Sequence, residues 1–193
     1  MIKAVFLDRD GVLNKPVLNP KTGEFESPHS ESDLELFDWA VNALKDISAG
    51  GYALFLVSNQ PSAAKGKAPL SALKAVHNKF HALMTENAIK FEKYYYCYHH
   101  PRGAVKELTT ECECRKPKPF FVNEAINNFG LKREFCWFVG DRDADVNCGK
   151  TAGVRTILVK EPLSASNQGK SHPDFTASDL KVSAEIILRE GIK

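Results

Sequence analysis

The chain contains short, uninterrupted apolar runs that end abruptly in polar residues. Runs of this kind are typical of strands that are buried on both faces of a parallel sheet. They lie at residues 5–7, 53–57, 136–139 and 155–159, and an aromatic-rich run lies at residues 91–96. These runs predict five strands.

Between the runs, apolar residues recur at every third or fourth position, as they do along one face of a helix. The predicted helices cover residues 37–47, 70–84, 117–129, 143–152 and 179–190. Gly50, Gly130 and Gly153 provide stop signals for three of them. The alternation predicts an α/β fold: a doubly wound, mostly parallel sheet with helices on both faces, which binds ligands at the carboxyl ends of its strands.

Some segments interrupt this alternation. Residues 14–32 are rich in Pro, Asn, Gly, Ser and His with little periodicity, and we expect them to form an irregular flap. Residues 97–116 form a loop with clustered Cys and His, and a polar stretch at 164–173 leads to the last helix. No gap has room for a large cap domain, so residues 1–193 are predicted to form a single domain.

Composition and charge narrow the class of protein. The 193 residues are 43% hydrophobic and 26% charged, which is typical of one globular domain. A net charge of +2 gives no strong field for nucleic acid or an anionic membrane. No apolar run approaches the roughly 20 residues that span a bilayer, and Lys3, Asp8, Arg9 and Asp10 interrupt any apolar core of a secretory signal. We expect a cytoplasmic monomer that binds neither nucleic acid nor membranes.

Three of the predicted strands end in side chains that can carry chemistry. Asp8 and Asp10 follow the first strand, Ser58 and Asn59 follow another, and Asp141 follows a third. These side chains should converge, because the carboxyl ends of parallel strands meet at one edge of the sheet. Of two neighbouring carboxylates, one can serve as nucleophile or metal ligand and the other as acid or base. A third carboxylate completes a Mg²⁺ site that stays open to phosphate. The set predicts phosphoryl chemistry.

Four segments carry a resemblance to a known family. In order, DRDGVLN, LVSNQ, CRKPKP and VGDRDADV resemble the four motifs of the haloacid dehalogenase (HAD) superfamily of phosphatases. The resemblance covers nearly the whole chain. It implies a HAD-like fold and Mg²⁺-dependent cleavage of a phosphate ester through an aspartyl phosphate.

The resemblance also implies a role for each matching residue. Asp8 would be the nucleophile, and Asp10 would be the general acid for the leaving alcohol and later the base for water. Ser58 would bind a phosphate oxygen, and Lys116 would pair with the charge shared by Asp8 and the phosphate. Asp8, Asp141 and the main-chain carbonyl of Asp10 would hold Mg²⁺.

Three of the five cysteines lie close to a histidine. Cys97-x-His99 and Cys112-x-Cys114, separated by twelve residues, supply three thiolates and one imidazole, the ligand set of a closed structural Zn²⁺ site. The ion would order a loop with few apolar residues of its own. His100 is an alternative imidazole. The remaining cysteines, which we expect to be core thiols, are Cys136 and Cys148.

This loop resembles that of one HAD branch. YYYCYHHPRG followed by CECRKPKP is similar to the zinc loop of D-glycero-D-manno-heptose bisphosphate phosphatases, whereas the related loop of histidinol-phosphate phosphatases has a shorter spacing. The resemblance implies that Arg115 contacts a phosphate or the sugar hydroxyls. Asn59 and Lys65 are further candidates for substrate binding.

Some features depart from the heptose branch. Residues 61–66 differ from its usual segment, the flap is longer, and Arg142 is more typical of the histidinol-phosphate branch. Asp145 resembles the second acidic position of the fourth motif. It would orient a metal-bound water or Lys116, with a helix-capping or surface role as the alternative.

We therefore expect an Mg²⁺-dependent phosphomonoesterase that acts on a sugar bisphosphate, with histidinol phosphate as the alternative substrate. A hypothesis of another class is a zinc-loop binding module without enzymatic activity. The near-neutral charge argues against a module for nucleic acid.

Overall fold

The computed structural model describes residues 2–20 and 23–191. The strands are β1 (Ala4–Leu7), β2 (Val17–Leu18), β3 (Phe25–Glu26), β4 (Ala53–Asn59), β5 (Phe91–Cys97), β6 (Cys136–Gly140), β7 (Arg155–Val159) and β8 (Phe175–Ala177). The α-helices are α1 (Ala40–Ala49), α2 (Leu70–Glu86), α3 (Phe120–Phe129), α4 (Asp143–Ala152) and α5 (Leu180–Glu190).

Six strands form one parallel sheet in the order β5-β4-β1-β6-β7-β8. From the central strand β1, the chain first builds outward through β4 and β5 and then returns to build β6, β7 and β8 on the other side. The strand order reverses at β1, and such a reversal opens a crevice at the carboxyl ends of the strands. Asp8 is the residue that follows β1 into this crevice.

The two faces of the sheet bury separate apolar cores. Val5 and Leu7 of β1 face a core that includes residues of α1, α2 and α5, such as Leu44 and Ile187. Phe6 points to the opposite core, which includes residues of α3 and α4. This alternation follows the two-residue repeat of a strand. The predicted doubly wound sheet with helices on both faces is confirmed.

Several boundaries differ from the sequence prediction. Helix α3 begins at Phe120 rather than at Pro117, because Pro117 and Pro119 disfavour helical backbone in the residues before them. Strand β8 was not predicted, since three residues with one buried side chain leave too short a pattern to detect. No α-helix in the described ranges is long and apolar enough to cross a bilayer.

The flap is more regular than its composition indicates. Strands β2 and β3 pair antiparallel within it, with Leu18 opposite Phe25 and Val17 opposite Glu26. The prediction of an irregular segment over residues 14–32 is wrong to that extent, because two-residue strands give no detectable alternation. Residues 21 and 22 of the flap lie outside the described residues.

Candidate active site

A cavity of about 470 Å³ lies at the carboxyl ends of the central strands. The flap, the loop that carries the clustered cysteines and the segment before β8 all contribute to its wall. Its lining includes most of the predicted site residues, among them Asp8, Asp10, Arg115, Lys116 and Asp145. The side chains that the strand ends were expected to bring together do converge.

Lys116 lies between two carboxylates beside this cavity. Its Nζ is 3.0 Å from Asp8 Oδ1 and 2.6 Å from Asp145 Oδ1, and it donates to the carbonyl of Val57 at 2.7 Å. All three charged side chains are buried. One ammonium group is therefore held among carboxylates by residues at the end of β1, near the end of β4 and in the first turn of α4.

Asp145 combines two of the roles considered for it. Its Oδ1 contacts Lys116, and its Oδ2 accepts a hydrogen bond from the backbone N–H of Arg142 at 3.0 Å, at the start of α4. The residue is 1% exposed, so the surface role is wrong. One carboxylate both caps the helix and orients the lysine.

Burial and charge displace the pKa values of this cluster. Burial raises the pKa of Asp141, and the carboxylates of Asp145 and Asp8 raise it further, to about 8. Burial also raises the pKa of Asp145, to about 6, although Lys116 opposes the shift. Burial lowers the pKa of Lys116, but Asp145 and Asp8 outweigh it and the net shift is upward. The cluster therefore holds more carboxylate than one ammonium can neutralise.

The arrangement fits a divalent cation. One carboxylate oxygen from each of Asp8, Asp141 and Asp145 lies within 4.8 Å of the other two. Asp141 Oδ1 is buried and has no hydrogen-bond partner within residues 2–20 and 23–191. Mg²⁺ prefers hard oxygen ligands such as these carboxylates, and the unpartnered Oδ1 of Asp141 is available to such an ion.

Asp10 lines the same cavity but belongs to a separate network. Its Oδ1 accepts hydrogen bonds from Arg9 and Asn14, each at 3.0 Å, and its Oδ2 accepts one from Gln60 at 2.6 Å. Burial raises the pKa of Asp10, but the charge of Arg9 and hydrogen bonds with Arg9, Ser27 and Gln60 lower it to about 2. The pKa values of Asp10 and Asp141 are thus displaced in opposite directions, as expected for carboxylates with different tasks.

The residues at the end of β4 differ in what they contact. Ser58 is buried, and its hydroxyl accepts a hydrogen bond from Gln60 at 3.1 Å. The side chain of Asn59 accepts from the backbone N–H of Lys116 and donates to its carbonyl, both at 3.1 Å. The Asn59 amide therefore holds the backbone of Lys116 in place, and because Asn59 also lines the cavity, its role in substrate binding stays a prediction.

The second cluster of metal-ligating side chains lies in the loop after β5. One donor atom from each of Cys97, His99, Cys112 and Cys114 lies within 4.8 Å of the others. Cys112 Sγ is 3.5 Å from Cys97 Sγ and 3.3 Å from Cys114 Sγ. His100 is not part of the cluster, and its Nδ1 accepts a hydrogen bond from the backbone of Arg102. Three sulfurs and one imidazole fit a tetrahedral Zn²⁺ site.

The two cysteines outside this cluster are buried, as predicted. Cys136 and Cys148 belong to the apolar core between the sheet and helices α3 and α4. Burial is the largest cause that raises the pKa of both thiols, to about 11 and about 12 respectively. They are thiols rather than thiolates at neutral pH.

The cysteine loop and the turn after β4 place two cations at the cavity. Arg115 donates to the carbonyl of His99 at 3.3 Å, and the backbone N–H of Ala104 donates to Ala64 at 2.7 Å. Burial and the charges of Lys67 and Arg115 lower the pKa of Lys65. The loop and the turn thus form one hydrogen-bonded wall that presents Arg115 and Lys65.

The flap contacts this wall directly. Glu26 forms an ion pair with Lys67 at 2.5 Å, and His29 Nε2 is 2.9 Å from Ser62 Oγ. Phe25, at the start of β3, lines the cavity. The segment predicted to be a flap therefore lies along the site and is joined to it by side-chain contacts.

Some residues of the site were missed by the sequence analysis. Arg9 and Gln60 contact Asp10, and both lie inside motifs that drew attention only to their neighbours. Ser164 and Gln168 contact Asp141 from a polar stretch more than twenty positions away in sequence. That stretch has no periodicity or motif, so no feature of the sequence pointed to it.

Comparison with known proteins places the chain in a family. A curated D-glycero-D-manno-heptose-1,7-bisphosphate 7-phosphatase from Chlorobaculum tepidum is 32% identical over 92% of this chain and 90% of its own length. The chain belongs to the D-glycero-D-manno-heptose-1,7-bisphosphate 7-phosphatase family. Another member, from Pasteurella multocida and named for the β-anomer, is 30% identical over 93% of this chain and 94% of its own length.

Broader comparisons agree with this heptose phosphatase family. The HAD-hydrolase-like family model matches residues 113–183. A crystal structure of the D,D-heptose bisphosphate phosphatase from B. bronchiseptica, complexed with magnesium and phosphate, covers 98% of this chain and 99% of its own with a TM-score of 0.79. At 23% sequence identity, this likeness establishes the shared HAD-like fold.

Proposed function

We propose that the protein is an Mg²⁺-dependent phosphomonoesterase that removes one phosphate, at position 7, from D-glycero-D-manno-heptose 1,7-bisphosphate. The observation that carries the proposal is the buried cluster of Asp8, Lys116, Asp141 and Asp145 at the strand ends, in a family whose curated members are named as 7-phosphatases. The non-enzymatic binding module has no such support.

The chain's own residues can perform the two halves of the reaction. The carboxylate of Asp8 attacks phosphorus, the bond from phosphorus to the sugar oxygen breaks, and Asp10 gives its proton to that oxygen. Asp10 then takes a proton from water as the water oxygen attacks the aspartyl phosphate, which releases inorganic phosphate and restores Asp8. Bound Mg²⁺ supplies positive charge to the phosphoryl oxygens.

The environment of Asp10 suits the second half of this cycle. Contacts with Arg9 favour the carboxylate form, which is the form that accepts a proton from water. In the first half Asp10 must carry a proton, and an adjacent phosphate dianion raises the pKa of a carboxyl group. Lys116 stays charged in both halves and offsets the charge of Asp8 and the transferred group.

Arg115 and Lys65 are proposed to bind the phosphate that is retained. Both line the cavity on the side of the cysteine loop. A guanidinium forms paired hydrogen bonds with phosphate oxygens, and binding energy at a remote phosphate can orient the reacting one. We also propose that Zn²⁺ occupies the Cys97, His99, Cys112 and Cys114 cluster and orders the loop that carries Arg115.

Histidinol phosphate is the second candidate substrate. Arg142 supports it, because this residue lies at the cavity directly after Asp141 and is more typical of that branch of the superfamily. The cytoplasm remains the proposed location, and the monomeric state remains a prediction.

The test is phosphate release from a panel of substrates. The panel contains both anomers of the heptose 1,7-bisphosphate, heptose 7-phosphate and histidinol phosphate, each with and without Mg²⁺. We expect one equivalent of phosphate per bisphosphate and a kcat/KM at least about tenfold above that for the monophosphate. Faster turnover of histidinol phosphate would favour the second candidate, and no release from any ester would refute phosphatase activity.

A further inference from the structure

The polar stretch before β8 lies against the proposed metal site. Residues 162–167 form a short 3-10 helix whose residues are mostly exposed, but Ser164 turns inward and is 1% exposed. Its hydroxyl donates a hydrogen bond to Oδ2 of Asp141. A buried polar side chain in an otherwise exposed segment needs a partner that offsets its desolvation, and here the partner is a proposed Mg²⁺ ligand.

The contacts of the Asp141 carboxylate are unequal at its two oxygens. Oδ2 accepts a hydrogen bond from Ser164 and lies 3.7 Å from Nε of Arg142. It also packs closely against Gly11, since a β-carbon added to Gly11 would lie 2.4 Å from Oδ2. Oδ1 is buried and has no hydrogen-bond partner in the part of the chain that the structure describes. The carboxylate therefore has one engaged oxygen and one oxygen left for an ion.

The segment that carries Ser164 is fixed by other contacts as well. The side-chain amide of Gln168 donates to the carbonyl of Asp141 at 2.7 Å and to the carbonyl of Val159 at 3.0 Å. Farther along, Asp143 accepts a hydrogen bond from the hydroxyl of Ser171 at 2.6 Å. Loss of the Ser164 hydroxyl alone should leave the segment in place, so its effect on Asp141 can be isolated.

We infer that Ser164 is a positioning residue for Mg²⁺: it fixes the rotation of the Asp141 carboxylate so that Oδ1 is presented to the ion. Hydrogen bonds to the outer oxygen of a metal-ligating carboxylate orient that ligand, and their removal typically weakens metal binding by about 10- to 100-fold. This inference rests on the proposed Mg²⁺-dependent function.

The experiment measures Mg²⁺ binding directly, without substrate. Isothermal titration calorimetry and the Mg²⁺-induced rise in melting temperature are recorded for the wild-type protein, Ser164→Ala and Ser164→Cys. The cysteine variant is nearly isosteric but donates only a weak hydrogen bond. The matched control is Ser183→Ala, which removes an equally buried hydroxyl of α5 whose partner is the carbonyl of Asp179, the residue before that helix.

We expect the Mg²⁺ dissociation constant to rise about tenfold or more in both Ser164 variants and to stay unchanged in Ser183→Ala. Turnover of the Ser164 variants should recover when Mg²⁺ is raised in proportion. Unchanged Mg²⁺ affinity in either folded Ser164 variant would overturn the inference. If Ser164→Ala fails to fold, Ser164→Cys decides the question alone. Absence of Mg²⁺ binding and of phosphatase activity in the wild-type protein would instead refute the proposed function.

Discussion

The two clusters of metal-ligating side chains are supported in different ways. The carboxylate cluster lies where β1 and β6 end, and its members Asp8, Asp141 and Asp145 are all buried. In the cysteine cluster, only Cys97 belongs to a strand, β5, and the other members lie on an irregular loop with one three-residue 3-10 helix. The sheet orders the first cluster by itself, whereas we propose that the second depends on a bound Zn²⁺ for order.

The two clusters are joined through consecutive residues. Cys114 is directly followed by Arg115 and Lys116, and Lys116 reaches Asp8 and Asp145. The proposed Zn²⁺ in the loop would therefore be linked through the backbone to Lys116 and its carboxylate partners. Changes at the carboxylates should stop the chemistry without unfolding the protein, and changes at the cysteines should affect folding and chemistry together.

The largest expected effect comes from Asp8→Asn. The amide keeps the shape of the side chain but cannot attack phosphorus, so we expect turnover to fall by at least about a thousandfold, a loss of more than about 4 kcal/mol of transition-state stabilisation. Lys116 keeps Asp145 as a partner at 2.6 Å, so the melting temperature and zinc content should not fall. Phosphate release and metal analysis on the same sample check both points, and activity within about tenfold of wild type would eliminate Asp8 as nucleophile.

The next effect should come from the loop. Cys112→Ser removes one of four ligands, and we expect loss of bound zinc, a lower melting temperature and a fall in kcat/KM of about 10- to 100-fold, because Arg115 and Lys116 lose their support. The matched control is Cys148→Ser, the same chemical change at a core thiol outside the cluster. It should keep the zinc. Full zinc content and unchanged melting in Cys112→Ser would contradict the dependence of the loop on its ion.

A smaller effect should separate substrate binding from chemistry. Arg115→Ala should lower kcat/KM for the heptose bisphosphate by about tenfold and have less effect on para-nitrophenyl phosphate, which has no second phosphate. Lys118→Ala is the matched control, because Lys118 belongs to the same segment but pairs with Glu113 on the surface. Equal losses for both substrates in Arg115→Ala would show that Arg115 acts on the reacting phosphate instead.

The same contrast explains which features the sequence could predict. Strand ends are visible in the sequence because an apolar run changes abruptly to Asp8 or Asp141, and parallel topology then brings those ends together. The cysteine cluster is visible because its ligand types are rare and closely spaced. Ser164 and Gln168 could not be found this way, because their position depends on how an irregular segment folds back over β7. The contact of the Asn59 amide with Lys116 was not predicted for a related reason, since its partner is the backbone of a residue far along the chain.

The last and smallest effect concerns pH, and it tests whether the carboxylate cluster is ordered without an ion. The pKa of Asp is about 3.9 in an unfolded chain and about 8 for Asp141 in the fold, where burial and then Asp145 and Asp8 raise it. Because the folded pKa is the higher one, Asp141 contributes its full stabilisation below about pH 4 and loses it as the pH rises through about 8.

In Mg²⁺-free buffer, we expect the melting temperature to fall by about 5 °C or more between about pH 5 and pH 8.5. Saturating Mg²⁺ should reduce the fall, and Asp141→Asn should flatten it, whereas Cys112→Ser should leave the slope in place at a lower melting temperature. A slope that persists in Asp141→Asn would assign the repulsion to other groups and would weaken the distinction between the two clusters.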